Sequence, residues 1–114
     1  MRESVLSSVR YFVYMVEKSE IVRELQQVVD PEVGVPITEM DLVDEIAISP
    51  EGVVSVGFHL TAPFCPPMFA LEIAQDIKRR VGGLDGVKEV KISMTGHFMA
   101  EEINRRVNTS AAKA

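Results

Sequence analysis

The single cysteine of this chain lies where a predicted strand gives way to a predicted helix. Cys65 falls within residues 62–67, which read APFCPP. Proline is accepted in the first turn of a helix because its missing N–H would have no partner there. The pattern therefore predicts Cys65 at a helix N-terminus, where free N–H groups and the helix dipole favour a thiolate. The alternative is a small buried apolar residue, which is how most lone cysteines behave.

Two carboxylates form a second candidate group. Asp30 and Glu32 lie on either side of Pro31, in a loop rich in turn-forming residues. An aspartate in such a loop commonly accepts hydrogen bonds from backbone amides two positions on. If the loop folds over the start of the helix, both carboxylates would lie near Cys65 and could bind a metal or set the protonation of its thiol. The two roles are compatible, and Glu39 is expected on the same rim.

Four other side chains are considered with this candidate site. Thr61 is expected to cap the helix or to bond to the cysteine sulfur, and capping is the preferred reading. His59 and His97 lack the paired spacing of a zinc site, so we expect surface or hydrogen-bonded histidines. Met68 is expected to be exposed beside the cysteine, where a soft apolar side chain suits the docking of a partner.

Hydrophobic periodicity predicts the elements that position these residues. Alternation predicts strands over 42–48, 53–61 and 87–94, and helical spacing predicts helices over 19–29, 66–82 and 99–107. Ser19 is the expected N-cap of the first of these helices, and a glycine after the second is expected in the left-handed conformation.

The turn residues predict how these strands are joined. Residues 49–52 read SPEG, which favours a tight turn between two antiparallel strands. The following strand–helix–strand connection is expected to be parallel and right-handed. The predicted fold is α/β (α+β): a two-layer sandwich in the order helix-strand-strand-helix-strand-helix, with helices on one face of a mixed three-stranded sheet.

Length and pattern indicate one domain. The 114 residues divide into an N-terminal helical extension over 1–18, a single domain over 19–107 and a tail over 108–114 that is expected to fray. Met15 offers a second plausible start, which would make residues 1–14 an added segment. The alternative is that the N-terminal helix packs against its own domain or against a second subunit.

Composition excludes several classes of function. A net charge of −5 without a basic run argues against a general nucleic-acid-binding protein. The apolar stretch over 5–16 is interrupted by Arg10 and is too short to cross a bilayer, so no membrane span is predicted. One cysteine excludes an internal disulfide framework and fits a reducing cytoplasm.

Four motifs in order resemble the small metal–sulfur cluster biosynthesis family, which includes SufT-like and PaaD-like proteins. They are DPEV at 30–33, ITEMDLV at 37–43, LTAPFCP at 60–66 and LDGVKEV at 84–90. The resemblance covers about residues 19–107. The chain departs from the family pattern in having Asp41 where glycine is usual and Glu39 where aspartate is usual. Residues 96–98 also fall where many members carry a tryptophan-containing segment.

The resemblance implies a non-enzymatic iron–sulfur cluster assembly or transfer factor. Cys65 would contact iron or a cluster, with Asp30, Glu32 and Thr61 in the same binding site. One cysteine cannot complete a four-thiolate site, so a cluster would be shared in a homodimer or completed by carboxylates, a small thiol or the client's ligands. Binding would therefore be transient, and the implied partners are apo iron–sulfur client proteins and other assembly factors. The alternatives are an interaction module without bound metal and a thiol-dependent enzyme.

Overall fold

The computed structural model of the protein describes residues 16–109. Their elements are, in chain order, α1 (Lys18–Leu25), β1 (Val43–Ile48), β2 (Val53–His59), α2 (Pro67–Gly82), β3 (Glu89–Thr95) and α3 (Ala100–Thr109). This is the predicted order of helices and strands. The predicted extension over 1–18 lies almost entirely outside the described residues, as do residues 110–114.

The three strands form the predicted mixed sheet. Their order is β1-β2-β3, with β1 antiparallel and β3 parallel to the central β2. Val54, Val56 and Phe58 alternate with less buried residues along β2, so one face of the strand carries the core. Because β2 and β3 are parallel and adjacent, their carboxyl ends lie next to each other at the same end of the sheet. The segments that follow these two strands, 60–66 and 96–99, therefore lie side by side.

The helices bury their apolar faces against this sheet and against each other. α2 contacts β3, α1 and α3, and its buried side chains recur at helical spacing: Ala70, Ile73, Ala74, Ile77 and Val81. The result is the predicted two-layer α/β sandwich. None of the helices found among residues 16–109 is both long and apolar enough to cross a membrane.

A pair of asparagines joins α3 to the outer edge of β3. Asn104 accepts a hydrogen bond from the N–H of Met94 at 2.8 Å and donates one to its carbonyl at 2.9 Å. Asn108 makes the same two bonds with Ile92, at 2.9 and 2.8 Å. The asparagines are one helical turn apart, so they reach alternate residues of the strand. α3 therefore runs along the edge of the sheet, and Asn108 belongs to the helix and not to a frayed tail.

The first helix is shorter than the sequence predicts. α1 begins at Lys18 without a side-chain cap, so the prediction of Ser19 as N-cap is wrong, and the helix ends at Leu25. Beyond it, Val29 forms a bridge with Pro36, and Val28 accepts a hydrogen bond from the N–H of Ile37 at 2.9 Å. These backbone groups are used in a small hairpin, which prevents them from continuing the helix.

β2 ends earlier than the alternation predicts, whereas β3 extends one residue beyond its predicted end, to Thr95. β2 stops at His59 because that residue pairs with Thr95, the last residue of β3, and no strand partner continues beyond it. Asp44 interrupts the alternation of β1 and is accommodated by a register irregularity between Val43 and Glu45. A bulge of this kind turns the extra side chain out of the ladder, and Asp44 is exposed.

Two backbone conformations bear on the sequence predictions, one at Gly83 and one at Asp41. Gly83 follows α2 with φ of −84°, so the predicted left-handed glycine at this position is wrong. Asp41 has φ of 61°, in the left-handed region that favours glycine. Asp41 stands where the resembling family usually has glycine, and aspartate is among the few other residues that enter this region readily. Aspartate can therefore occupy this position although its backbone conformation favours glycine.

Candidate functional site

Cys65 lies in the turn between β2 and α2, as the sequence predicts. α2 begins at Pro67 with Pro66 as its N-cap residue, and the Cys65 N–H donates to the carbonyl of Ala62 at 3.3 Å. Cys65 is only 8% exposed, whereas its neighbours Phe64 and Pro66 are exposed. The thiol is therefore tucked under a turn whose backbone lies at the surface.

The loop over 30–35, here called the acidic loop, is built around the buried Asp30. Its Oδ1 accepts hydrogen bonds from the N–H groups of Glu32 at 2.8 Å and Val33 at 3.4 Å. The backbone of Asp30 also accepts from the Gly34 N–H at 2.7 Å and donates to the Val35 carbonyl at 3.0 Å. Asp30 therefore has the turn-forming role that the sequence predicts, and it holds the loop in one shape.

The acidic loop brings a carboxylate to the cysteine. The Sγ atom of Cys65 lies 3.9 Å from Oε1 of Glu32, a long contact at the limit for a sulfur donor. The acidic loop therefore reaches the start of α2, which is the condition under which its carboxylates would lie near Cys65. The acidic charge and the thiol thus share one site although 33 residues separate them in the sequence.

The environment of Cys65 favours the protonated thiol. Burial raises the pKa of Cys65, and the negative charges of Glu32 and Asp30 and the hydrogen bond to Glu32 raise it further. The expectation that the helix N-terminus would favour a thiolate is therefore wrong. Desolvation and two carboxylates both disfavour a negative sulfur at this helix N-terminus.

The other polar residues singled out from the sequence lie apart from this contact. Thr61 is exposed and α2 has no side-chain cap, so the preferred capping role is wrong, because Pro66 occupies the cap position. Glu39 is exposed and does not contribute to the pKa of Cys65.

His59 is hydrogen-bonded through Nδ1 to the carboxylate of Asp44, at 2.9 Å from each oxygen. Among residues 16–109, no three His, Cys, Asp or Glu side chains converge as a ready metal site.

The segment after β3 holds the cysteine turn from the other side, which sequence reasoning missed. The Nε2 atom of the buried His97 lies 2.6 Å from the carbonyl oxygen of Cys65. The Phe98 N–H donates to the carbonyl of Pro63 at 3.1 Å. The parallel pairing expected for β2 and β3 could have indicated this contact, since it brings the residues after both strands to one edge of the sheet.

Three exposed apolar side chains, here called the apolar rim, lie around the turn: Phe64 is 78%, Met68 73% and Phe98 60% exposed. The rings of Phe64 and Phe98 approach to 6.0 Å between centroids. Met68 is in the first turn of α2, three positions after Cys65, and its predicted exposure is confirmed. Neighbouring exposed apolar side chains are a common feature of surfaces that contact other molecules.

The balance of charge at Cys65 gives a testable dependence on pH. We expect the rate of Cys65 alkylation by iodoacetamide to rise with pH through a midpoint above the ordinary thiol value. Glu32→Gln should move that midpoint to lower pH, because it removes one of the charges that disfavour the thiolate. Glu39→Gln is the matched control and should leave the midpoint unchanged. Equal midpoints in the two variants would contradict the role assigned to Glu32.

The same pKa predicts the sign of an effect on stability. A thiol whose pKa is raised by folding is bound to its proton more tightly in the folded state. Its contribution to the free energy of unfolding is complete below the ordinary thiol pKa and is lost as the pH rises through the raised value. We therefore expect the melting temperature of the wild type to fall more steeply in alkaline buffer than that of Cys65→Ala.

The family model and two relatives that match this chain carry iron–sulfur names. The family model described as iron-sulfur cluster assembly protein matches residues 18–94. A protein of Porphyromonas gingivalis named Fe-S protein maturation auxiliary factor is 37% identical over 82 residues, which cover 72% of this chain and 76% of that protein. The iron-sulfur cluster carrier protein of Mycobacterium leprae is 36% identical over 77 residues, which cover 68% of this chain but 20% of the carrier.

A solved structure agrees with these relatives. A conserved hypothetical protein of Thermotoga maritima superposes with a TM-score of 0.54 at 25% identity, over 82% of this chain and 95% of that one. The region matched by the family model, residues 18–94, includes the acidic loop, the cysteine turn and all but the last residue of the three strands. The chain therefore belongs to the iron–sulfur cluster assembly protein family.

Proposed function

We propose that this protein is a non-enzymatic factor in iron–sulfur cluster assembly or transfer, in which Cys65 contacts iron or a cluster during delivery to apo-proteins. The observation that carries the proposal is the placement of the Cys65 thiol, 3.9 Å from the Glu32 carboxylate in a turn bordered by the apolar rim. The names of the relatives, a maturation auxiliary factor and a cluster carrier, support the same role.

The donor set at Cys65 suits a cationic iron cargo. Thiolate sulfur and carboxylate oxygen both bind iron, and the charges of Glu32 and Asp30 that disfavour a free thiolate attract a cation. On binding, the S–H bond breaks, the sulfur donates an electron pair to iron, and the proton leaves to Glu32 or to water. Binding is thus coupled to proton release and weakens in acid. The exposed hydroxyl of Thr61, on the same turn, is a further candidate contact for the cargo.

The site needs ligands from another molecule. Iron–sulfur clusters are usually held by four cysteine thiolates, and this chain contains one cysteine. The remaining ligands would come from a client protein, a second copy of the chain or a small thiol. A cargo held in this incomplete way passes readily to a client that offers a full set of ligands, and this is what a delivery factor requires.

The apolar rim provides a surface on which a client can dock. A client that receives the cargo must bring its own ligands to Cys65, so it must contact the residues around this turn. Phe64, Met68 and Phe98 are there and are largely exposed. Aromatic residues and methionine are enriched at protein interfaces because they bury much area at small conformational cost. The rim is therefore the surface that we assign to the client.

The same rim favours one alternative, a recruitment module that docks to its partners without carrying metal. A thiol-dependent enzyme is less well supported, because a nucleophilic cysteine needs a lowered pKa and that of Cys65 is raised. The two main readings differ in one property, namely whether Cys65 binds iron.

Anaerobic reconstitution with ferrous iron and sulfide tests the proposal. The full chain is compared with Cys65→Ala and with Val81→Ala, a control that also removes buried apolar atoms but at the opposite end of α2. Visible absorption and native mass are recorded together, followed by transfer to an apo-ferredoxin. We expect a cluster chromophore and transfer for the wild type and for Val81→Ala, and loss of both in Cys65→Ala.

Each other outcome has a definite meaning. A chromophore that survives in Cys65→Ala would exclude Cys65 as the iron contact. No chromophore in any of the three proteins would favour the recruitment module. When a chromophore does form, its presence on a dimer would identify the second copy as the source of the missing ligands. Its presence on a monomer would favour a small thiol that completes the site beside the chain's own carboxylates.

A further inference from the structure

The hydrogen bonds of His97 define which of its nitrogens carries the proton. Nδ1 accepts the N–H of Met99 at 2.9 Å, so Nδ1 has no proton of its own. Nε2 must then carry the proton in the neutral ring, and it donates to the Cys65 carbonyl at 2.6 Å. The buried imidazole thus uses both nitrogens, one toward the start of α3 and one toward the cysteine.

We propose that His97 is the positioning residue for Cys65: its Nε2–H bond to the Cys65 carbonyl fixes the turn so that the thiol stays buried against Glu32. The inference deepens the proposed function, on which it rests for its relevance to iron delivery. His97 touches the cysteine backbone and not the thiol or the cargo. It acts through Cys65, and its effect should appear in the accessibility of the sulfur.

The placement of the turn explains why such an anchor is needed. Residues 61–64 and 66 are exposed, so little packing holds the backbone on either side of the cysteine. The bonds from His97 and from the Phe98 N–H tie this turn to the segment after β3. Of these two, the His97 bond ends on Cys65 itself and comes from a side chain, so it can be removed by substitution without altering the backbone.

Two amide side chains separate the two bonds of the imidazole. Glutamine at position 97 can place its Nε2 donor where the ring has Nε2, and so can keep the bond to the Cys65 carbonyl. Asparagine can place its Oδ1 acceptor where the ring has Nδ1, and so can keep the bond from Met99 N–H. His97→Gln therefore preserves the link to the cysteine, whereas His97→Asn preserves the link to the start of α3.

Alkylation of Cys65 by iodoacetamide, without iron, distinguishes these roles. The full chain and both variants are compared at one pH, and their melting temperatures are recorded beside the rates. We expect alkylation about fivefold faster than wild type in His97→Asn, the factor that corresponds to one neutral hydrogen bond of about 1 kcal/mol. His97→Gln should react at close to the wild-type rate even if it melts at a lower temperature than His97→Asn.

A merely structural histidine would give the opposite pattern, because alkylation would follow the melting temperatures. Equal rates in the two variants, or a faster rate in His97→Gln, would overturn the proposal. If neither variant folds, nitrogen chemical shifts of the wild-type ring decide the matter. They should report the Nε2–H tautomer, and an Nδ1–H tautomer would overturn the proposal.

The alkylation test contains no metal, so its result is independent of cluster binding. If Cys65→Ala keeps its chromophore, the proposed function fails while the positioning of Cys65 can still stand. If both hold, His97→Asn should also transfer cargo to an apo-ferredoxin more slowly than His97→Gln.

Discussion

Replacement of Phe64 and Phe98 together by serine should weaken the affinity for a client protein about thirtyfold. We expect each ring to contribute about 1 kcal/mol to the interface, or about 2 kcal/mol for the pair, and each 1.4 kcal/mol is a factor of ten in affinity. The two rings are 78% and 60% exposed, so the fold depends on them little. Their mutual contact at 6.0 Å between centroids is worth about 1 kcal/mol, which is the loss of stability that we expect.

The measurement is the concentration of apo-ferredoxin at which the transfer rate reaches half its maximum. Lys88→Ser is the control, since Lys88 is exposed at the opposite end of the sheet, where its N–H bonds to Gly52. The amount of cluster on the double variant should equal that on the wild type, because Cys65 is untouched. An unchanged half-maximal concentration would mean that clients dock elsewhere on the molecule.

A third phenylalanine should behave in the opposite way. Phe58 is fully buried on the central strand, and Phe58→Ala is expected to lower the free energy of unfolding by about 3–5 kcal/mol. The free energy of unfolding of a small domain is about 5–15 kcal/mol in total. In a domain of this size, each kcal/mol lost lowers the melting temperature by about 4–8 °C. The midpoint should therefore fall by more than about 12 °C.

Thermal unfolding followed by circular dichroism checks this expectation. Phe64→Ala is the matched control, because it removes the same atoms from a largely exposed site, and its midpoint should stay close to that of the wild type. A small effect of Phe58→Ala would mean that the core around β2 can collapse into the space left by the ring.

Much of the architecture follows from local pattern. The alternation that begins at Val53 predicts the central strand, the SPEG turn predicts the antiparallel hairpin, and the long helix from Pro67 requires a parallel return. Each of these signals lies within a short stretch of sequence, and the observed elements agree with the predicted ones. The end of α1 could not be predicted in this way, because the pairing of Val28 with Ile37 competes with the helix only once the loop has closed.

The candidate site was predictable in its members but not in its electrostatics. Cys65 and the acidic loop are recognisable as motifs, and their approach follows if the loop closes over the turn. The raised pKa of the thiol depends on burial and on carboxylates distant in the sequence, whereas the helix N-terminus is adjacent and easily seen. Local reasoning therefore gave too much weight to the helix. The bond between His97 and Cys65 was missed for a related reason, because its two ends follow different strands of the parallel pair.

The asparagine pair on α3 has a consequence for how this protein meets others. An open strand edge offers unpaired backbone groups on which a further strand can form, and such strand addition leads to stable association or to aggregates. Asn104 and Asn108 occupy those groups at Met94 and Ile92. α3 thus imitates a fourth strand and closes that edge of the sheet.

The opposite edge is guarded in a different way. β1 carries the bulge at Asp44, and both Asp44 and Glu45 are exposed. Bulges and charged side chains are the usual means of discouraging strand addition. Because both edges of the sheet are protected within residues 16–109, we expect other proteins to bind there through side chains and not by adding a strand. Side-chain contacts can be released quickly, so we expect the sheet to suit partners that bind transiently, a second copy of the chain included.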